Sequence, residues 1–240
     1  MQTEPLENTP GFRRRFRITP QPGRVCCEVE DDYHCMAVTV YHDDALATRV
    51  EPLMRRAPWT TCPGAVEELK ATFTGLPLSG FARRGAKKAN CTHLHDLAVL
   101  AAQHAFDDMH RVYDILVGDP VEGRRRAEFR SDGETVLNWT EAGFRLVAPA
   151  DLAGMSLWEM QHWIKSLEPG MQEAARLLRW GNILASGRST PLDRQSDASR
   201  MPANCYTFQP EQAAVAVRVG ETVDFSSGQA QALADYQPFS

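Results

Sequence analysis

The sequence lacks the motifs that bind nucleotides or support serine hydrolysis. No Gly-x-Gly-x-x-Gly turn follows a predicted strand, and neither a Walker loop nor a Gly-x-Ser-x-Gly motif is present. No Cys-x-x-Cys pair occurs, which argues against thioredoxin-like redox chemistry and against a zinc ribbon. What remains is a set of cysteine and histidine residues at predicted structural junctions.

Long apolar runs are also missing. No stretch reaches the roughly 18 apolar residues that a membrane helix needs, and no apolar segment follows a basic N-terminus as in a signal peptide. We therefore expect no membrane association and a cytoplasmic location. In that compartment the six cysteines should be reduced, so those that matter should act as ligands or nucleophiles rather than in disulfides.

Positive charge is in deficit, because the net charge is −5. This balance argues against a general nucleic-acid-binding role, which needs a basic surface. The apolar fraction of 43% is ample for a continuous core in a chain of 240 residues. We expect a disordered leader at 1–10, a single domain over 11–225 and a tail at 226–240.

The patterning predicts an α+β fold with an N-terminal antiparallel β meander packed against helices. A β-hairpin follows at Asp132-Gly133, and a polar stretch at 186–202 reads as a mobile loop or lid. The predicted strands are 24–30, 34–41, 45–51, 128–130, 135–139 and 144–148. The predicted helices are 65–73, 93–116 and, as a C-terminal pair, 157–167 and 171–185.

Two cysteines precede predicted helices. Cys62 lies in the turn before the first helix, and Cys91 opens the long helix two residues before His93. Amide N–H groups and the helix dipole at such a position favour the thiolate, the form that binds a metal or attacks an electrophile. The alternatives are that Cys62 and Cys91 are packing residues and His93 only caps the helix, or that one thiol is a nucleophile.

A third ligand would come from the sheet. His34 stands at the start of a predicted strand, and Asp32 or Cys35 could replace it, since alternation places only one of His34 and Cys35 on the correct face. Two thiolates and one imidazole with an open fourth position form a catalytic zinc arrangement. We therefore predict a zinc or iron site held by Cys62, Cys91 and His34, with His93 as a fourth ligand or as an acid–base partner. His34 and His93 are the predicted catalytic residues.

Five segments resemble a bacterial family catalogued as domain of unknown function 2889. The likeness extends from about Gly11 to Phe225, and the Cys-Thr-His-Leu and Cys-Pro pieces are its most specific marks. The family name implies no established activity, but some relatives are connected with bacterial breakdown of aromatic compounds, including a formaldehyde-releasing lyase step on lignin-derived dimers. The segments are Arg13–Ile18, Glu30–His34, Trp59–Ala65, Asn90–Leu94 and Cys205–Pro210.

The layout of residues 33–110 is also similar to iron–sulfur scaffold proteins of the NifU type, which implies a metal-site core over 33–117. In those proteins three cysteines occupy a strand start and two helix starts. Cys62 and Cys91 match the second and third, and the His34/Cys35 pair falls near the first. The scaffold's His-Cys pair is Asn90-Cys91 here, and its Gly-Asp and Pro-Pro-Val segments are absent, which puts cluster assembly in doubt.

The function predicted from these features is a metal-dependent lyase in bacterial aromatic catabolism. A retro-aldol-like carbon–carbon cleavage would release formaldehyde from a small lignin-derived aromatic substrate. Trp59, Tyr206 and Phe208 would contact that substrate, although all three are equally explicable as core residues. The alternatives are a non-catalytic metal or iron–sulfur binding protein and a cofactor-free enzyme that uses Cys91 or His93. A homo-oligomer is left open.

Overall fold

The computed structural model describes residues 4–190 and 196–234 and confirms the predicted α+β class. The described residues form two compact units. The larger unit contains residues 16–111, 196–223 and 233–234, and the smaller unit contains residues 4–15, 112–190 and 224–232. The single domain over 11–225 stays a prediction. Within the described residues, no helix combines the length and the apolar character required to cross a bilayer.

The larger unit is built on the predicted antiparallel meander. Its neighbouring strands are β4-β3-β2-β1, of which β1 contributes its residues from 16 onward. Gly23, with φ +73°, and Asp44, with φ 47°, provide the left-handed backbone that the tight turns after β1 and β3 require. The strands are β1 (Gly11–Gln21), β2 (Arg24–Asp31), β3 (Cys35–Asp43) and β4 (Leu46–Arg56).

Two helices pack on this sheet. The first, α1 (Ala65–Phe73), has the predicted bounds and contacts β4. The second, α2 (Thr92–Gln103), contacts β2 and β3 through a buried face that includes Leu94, Leu97 and Leu100. A one-turn helix, Pro210–Ala213, belongs to the same unit. The loop between β2 and β3 and the first turn of α2 carry the candidate site.

The predicted helix over 93–116 is wrong beyond Gln103, because Arg111–Gly118 forms strand β5. Ala105, Val112 and Ile115 happen to fit a helical spacing, whereas Tyr113, Ile115 and Val117 also alternate as a strand requires, and all three are buried. β-branched residues favour the extended backbone.

The smaller unit contains an antiparallel sheet and two helices. Its strand order is β1-β5-β6-β7-β8, with the first residues of β1. The predicted hairpin is confirmed, because Asp132 and Gly133 have φ values of 50° and 91°, both positive as a two-residue hairpin turn requires. The elements are β6 (Arg124–Ser131), β7 (Glu134–Ala142), β8 (Arg145–Ala148), α3 (Gln161–Ser166) and α4 (Pro169–Ala185).

The structure describes short elements and buried residues within the predicted leader, tail and polar stretch. In the expected leader, Leu6–Asn8 is a 3-10 turn and Leu6 is buried. Arg13 donates hydrogen bonds to the carbonyls of Leu6 and Thr9, both 2.6 Å. Leu233 of the expected tail is buried. The polar stretch contains 3-10 turns at Ser186–Ser189 and Ala198–Arg200. Positions 1–3, 191–195 and 235–240 of the predicted leader, lid and tail lie outside the described residues.

Candidate metal and acid–base site

The turn between β2 and β3 is organised by one carboxylate. Asp31 Oδ1 accepts hydrogen bonds from the backbone N–H of Tyr33 and of His34, both 2.8 Å, and lies 2.9 Å from His34 Nδ1. The backbone N–H of Asp31 donates to the His34 carbonyl at 2.9 Å. Asp31 is fully buried. This geometry, which resembles an Asx turn, fixes the imidazole of His34 at the end of the sheet.

Arg56 of β4 holds the same turn from the neighbouring edge. Its guanidinium donates to the carbonyl oxygens of Asp31 at 2.7 Å and Asp32 at 2.8 Å, and it pairs with Glu30 at 3.1 Å. Charge-assisted bonds of this kind are stronger than neutral ones. The backbone under Asp31 and His34 is therefore held in one conformation from two sides.

His93 meets this turn from the first turn of α2. The rings of His34 and His93 are stacked, with centroids 3.9 Å apart and planes at 29°. Cys91, the residue before the helix, places its Sγ 3.9 Å from His93 Nδ1. Potential ligand atoms of Asp31, His34 and His93 all lie within 4.8 Å of one another, and all three residues are buried.

The predicted ligand set is thus only partly brought together. His34 and His93 are neighbours as predicted, and Asp31 joins them. In the part of the chain that the structure describes, this is the one group of three acidic, histidine or cysteine side chains close enough to hold an ion, and neither Cys62 nor Cys91 belongs to it. The geometry adds one carboxylate to the two predicted imidazoles, and the two thiols stay predicted ligands.

The structure also distinguishes between candidates for the ligand that was expected from the sheet. Of the three candidates, His34 faces the site, whereas Cys35 packs in a buried cluster with Cys26, Ala37 and Leu233. Burial and the nearby Glu30 carboxylate raise the pKa of the Cys35 thiol to about 12. Cys35 is therefore a protonated packing residue, as strict alternation along β3 allows.

The thiols at the helix starts are not activated. Burial raises the pKa of Cys91 to about 12, although the N–H groups of Leu94 and His93 act in the opposite direction. Burial also raises the pKa of Cys62, against the hydrogen bond that Thr207 Oγ1 donates to its Sγ at 3.3 Å. At both residues the desolvation of the charged form outweighs the helix N–H groups that favour a thiolate.

The three aromatic residues proposed to contact substrate pack closely within the larger unit. Trp59 and Phe208 meet edge to face, with ring centroids 5.8 Å apart. Tyr206 packs against Gly64, where an added Cβ would come within 2.6 Å of the Tyr206 hydroxyl. The backbone N–H of Tyr206 donates to the carbonyl of Asn90 at 2.9 Å. The turn at 59–64, the start of α2 and the segment 205–208 therefore pack together, and the three rings form part of that packing.

Residues 16–107 match the family model described as "Protein of unknown function (DUF2889)". This finding confirms the family resemblance over that segment, which contains the motifs at 30–34, 59–65 and 90–94. The Cys205–Pro210 motif lies outside it. A comparison with the curated proteins finds no match. The likeness to NifU-type scaffolds stays a prediction.

Proposed function

We propose that this chain, a DUF2889 protein over residues 16–107, is a metal-dependent lyase whose centre is Asp31, His34 and His93. The observation that supports it is the buried group itself, with potential ligand atoms within 4.8 Å of one another. Burying two imidazoles and a carboxylate together costs free energy, and such groups are usually paired or bound to a cation.

The donor set suits zinc first and iron second. Two histidines and one carboxylate bind zinc in several hydrolases and iron(II) in many oxygenases. Asp31 Oδ1 lies 2.9 Å from His34 Nδ1, so this carboxylate would orient the imidazole as well as contribute to the donor set, as carboxylates beside metal-ligating histidines do. When bound, the ion would polarise a substrate oxygen and acidify a substrate hydroxyl.

The side chains support a proton transfer and a bond cleavage. An imidazole of the His34–His93 pair accepts the proton of a primary hydroxyl, the carbon–carbon bond breaks, and the hydroxymethyl carbon leaves as formaldehyde. The electron pair of the broken bond stays on the second carbon, which then takes the proton back from the imidazolium. An aromatic ring on that carbon stabilises the carbanion, which is why a lignin-derived aromatic compound is the substrate class that we propose.

A second candidate uses the same residues without a metal. The contact between Asp31 and His34 is that of an acid–base dyad, in which the carboxylate holds Nδ1–H and Nε2 acts as the base. A third candidate is a metal or iron–sulfur binding protein without catalysis, which would contain an ion and release no product.

Metal analysis separates these candidates. We expect untagged wild-type protein to contain about one equivalent of zinc or iron, and His34→Ala, His93→Ala and Asp31→Asn to lose it. Even the loss of a group that only orients a ligand weakens metal affinity by about 10–100-fold. Cys62→Ala should keep its metal, because Cys62 lies outside the group. His42→Ala serves as the matched histidine control.

Two results would contradict the proposal. One is metal-free, folded wild-type protein after growth with zinc and iron supplied, which would favour the acid–base dyad. The other is loss of metal in Cys62→Ala with retention in His34→Ala, which would restore the thiol site. Formaldehyde release from small aromatic compounds with a hydroxymethyl group then tests catalysis, and metal without turnover would favour the non-catalytic candidate.

A further inference from the structure

Arg218 is fixed by backbone pairing beside the turn that carries Cys62. Arg218 and Trp59 form an isolated antiparallel bridge, the N–H of Thr60 donates to the Val217 carbonyl at 3.0 Å, and the N–H of Val219 donates to the Pro58 carbonyl at 2.8 Å. The position of Arg218 is therefore set by regular hydrogen bonds on both sides.

The guanidinium of Arg218 is half-buried and has no ion-pair partner in the described part of the chain. It lies over the ring of Trp59, with Cζ 5.6 Å from the ring centroid. Burial lowers its pKa, because desolvation penalises the charged form. Among the described residues no carboxylate pairs with Arg218, whereas Arg17 pairs with Glu28 and Arg56 with Glu30. A partly desolvated guanidinium stacked on an aromatic ring is ready to bind an anion.

Packing connects Arg218 to the candidate site. Trp59, which lies under the guanidinium, packs in one buried cluster with Cys62. Thr207 donates a hydrogen bond to Cys62 Sγ at 3.3 Å, and the backbone N–H of Tyr206 donates to the carbonyl of Asn90, the residue before Cys91. The Cys91 Sγ in turn lies 3.9 Å from His93 Nδ1, and all of these residues belong to the larger unit.

We propose that Arg218 binds a carboxylate group of the substrate, so that the substrate class is an aromatic carboxylic acid. This inference rests on the proposed function, since it assigns a specificity residue to that site. The planar guanidinium offers paired N–H donors that match the two oxygens of a carboxylate, and Trp59 holds its plane. The rival explanation is a structural cation–π contact, which would need no ligand.

Binding of a matched acid and ester tests the inference. The probes are 4-hydroxybenzoate and its uncharged methyl ester, titrated against the full-length protein by calorimetry or NMR. We expect the wild type to bind the acid about tenfold or more tightly than the ester, in keeping with a charge-assisted bond. Arg218→Gln should abolish this preference, and Arg218→Lys should keep part of it.

Arg49→Gln is the matched control. Arg49 also lies over an aromatic ring, that of Tyr41 at 3.8 Å, but it is exposed and already pairs with Glu51. It should leave the preference for the acid unchanged. Equal binding of acid and ester by the wild type, or an undiminished preference in folded Arg218→Gln, would overturn the inference.

The inference and the proposed function can fail separately. Repeating the titration with His34→Ala removes the proposed metal ligand while leaving Arg218 in place. If the preference persists there and depends on Arg218, the carboxylate site stands even when no substrate is cleaved. If the wild type releases formaldehyde equally from acids and their esters, the lyase stands and the assignment of Arg218 falls.

Discussion

At the scale of single residues, Asp31 shows how one buried carboxylate can organise a site. It accepts from two backbone N–H groups and holds the imidazole of His34, so the backbone turn and the histidine ring orientation share one anchor. Thiols nearby behave differently, because burial keeps them protonated in spite of the helix N–H groups around Cys91. Local desolvation therefore decides which of the neighbouring residues can carry charge.

Cys26 provides a pH test of this desolvation away from the site. Burial and the Glu28 carboxylate raise its pKa from 9.0 to about 12. Above pH 9 the unfolded chain releases this proton while the folded protein keeps it, so the stability contribution is complete below pH 9 and is lost as the pH rises towards 12. We expect the wild type to lose up to about 1.4 kcal/mol more per pH unit in this window than Cys26→Ala.

Urea unfolding at pH 8, 9, 10 and 11 measures this difference. The comparison between wild type and variant cancels the titration of other groups, and the constant offset from the small cavity in Cys26→Ala does not depend on pH. Parallel pH profiles for the two proteins would show that the Cys26 thiol ionises normally in the folded state.

The sequence contained only part of the information needed to predict the site. His34 and His93 could be identified because imidazoles at a strand start and a helix start converge in an antiparallel α+β fold. Asp31 was overlooked, since its role depends on accepting backbone N–H groups in the turn, although an aspartate three residues before a histidine at a strand end is a usable signal. Chemical type and junction position led to the prediction of Cys62 and Cys91 as ligands. Neither property contains information on the distances between side chains.

At the scale of elements, α4 contains a matched pair of glycines. At Gly181 an added Cβ would lie 2.6 Å from Ile115 Cγ2 of β5, whereas at Gly170 nothing lies within 4 Å. Gly181→Ala should therefore destabilise the protein by about 1–3 kcal/mol through overpacking. Gly170→Ala should stabilise it by about 0.4–1 kcal/mol, because it reduces the entropy of the unfolded chain.

Chemical denaturation of both variants tests how closely α4 packs on β5. Adding Ile115→Ala to Gly181→Ala gives a further arm. Removing Ile115 Cγ2 deletes the clashing atom, so the double variant should lose less stability than the sum of the two single variants. Equal changes in unfolding free energy for the two glycine substitutions would contradict this prediction. They would mean that helix propensity alone determines the effect and that the close contact at Gly181 is relieved without cost.

The boundaries of an element were predictable where the sequence contains local turn residues that mark them. The helix Ala65–Phe73 follows a Cys-Pro-Gly turn and precedes Gly75, which has φ +82°, so its start and end are both encoded locally. The hairpin at Asp132-Gly133 is encoded in the same way. The end of α2 was missed because no glycine or proline follows Gln103. Instead Asp107 closes the loop by contacts with His104 Nδ1 at 2.8 Å and Arg111 Nε at 2.7 Å.

At the scale of the whole molecule, the meander, the hairpin and the helix pair were enough to predict the α+β class. Short connections favour antiparallel neighbours, and this local rule fixes most of the strand order. The grouping into two compact units was not predictable, since each unit combines segments that are distant in the sequence. Pairing between distant segments depends on long-range packing, which a periodic pattern does not record.

That grouping leads to a prediction about metal binding. All three residues of the proposed centre lie in the larger unit, so an ion should stabilise that unit preferentially. At a free zinc concentration about a hundred times the Kd, the expected stabilisation is about 2.7 kcal/mol. Amides that exchange only when the site unfolds should then exchange roughly a hundredfold more slowly. Hydrogen exchange followed by mass spectrometry should show this slowing at 31–34 and 92–95.

Peptides from β6, β7 and α4 of the smaller unit are the internal control, because no residue of the proposed centre lies there. They should exchange at nearly the same rate with and without zinc. Uniform slowing in both units would indicate that zinc stabilises the chain without a specific centre. If zinc still slows amide exchange in His34→Ala, the ion binds to other ligands. If zinc slows exchange in the wild type but not in His34→Ala, the turn at Asp31–His34 is the structure that metal binding orders.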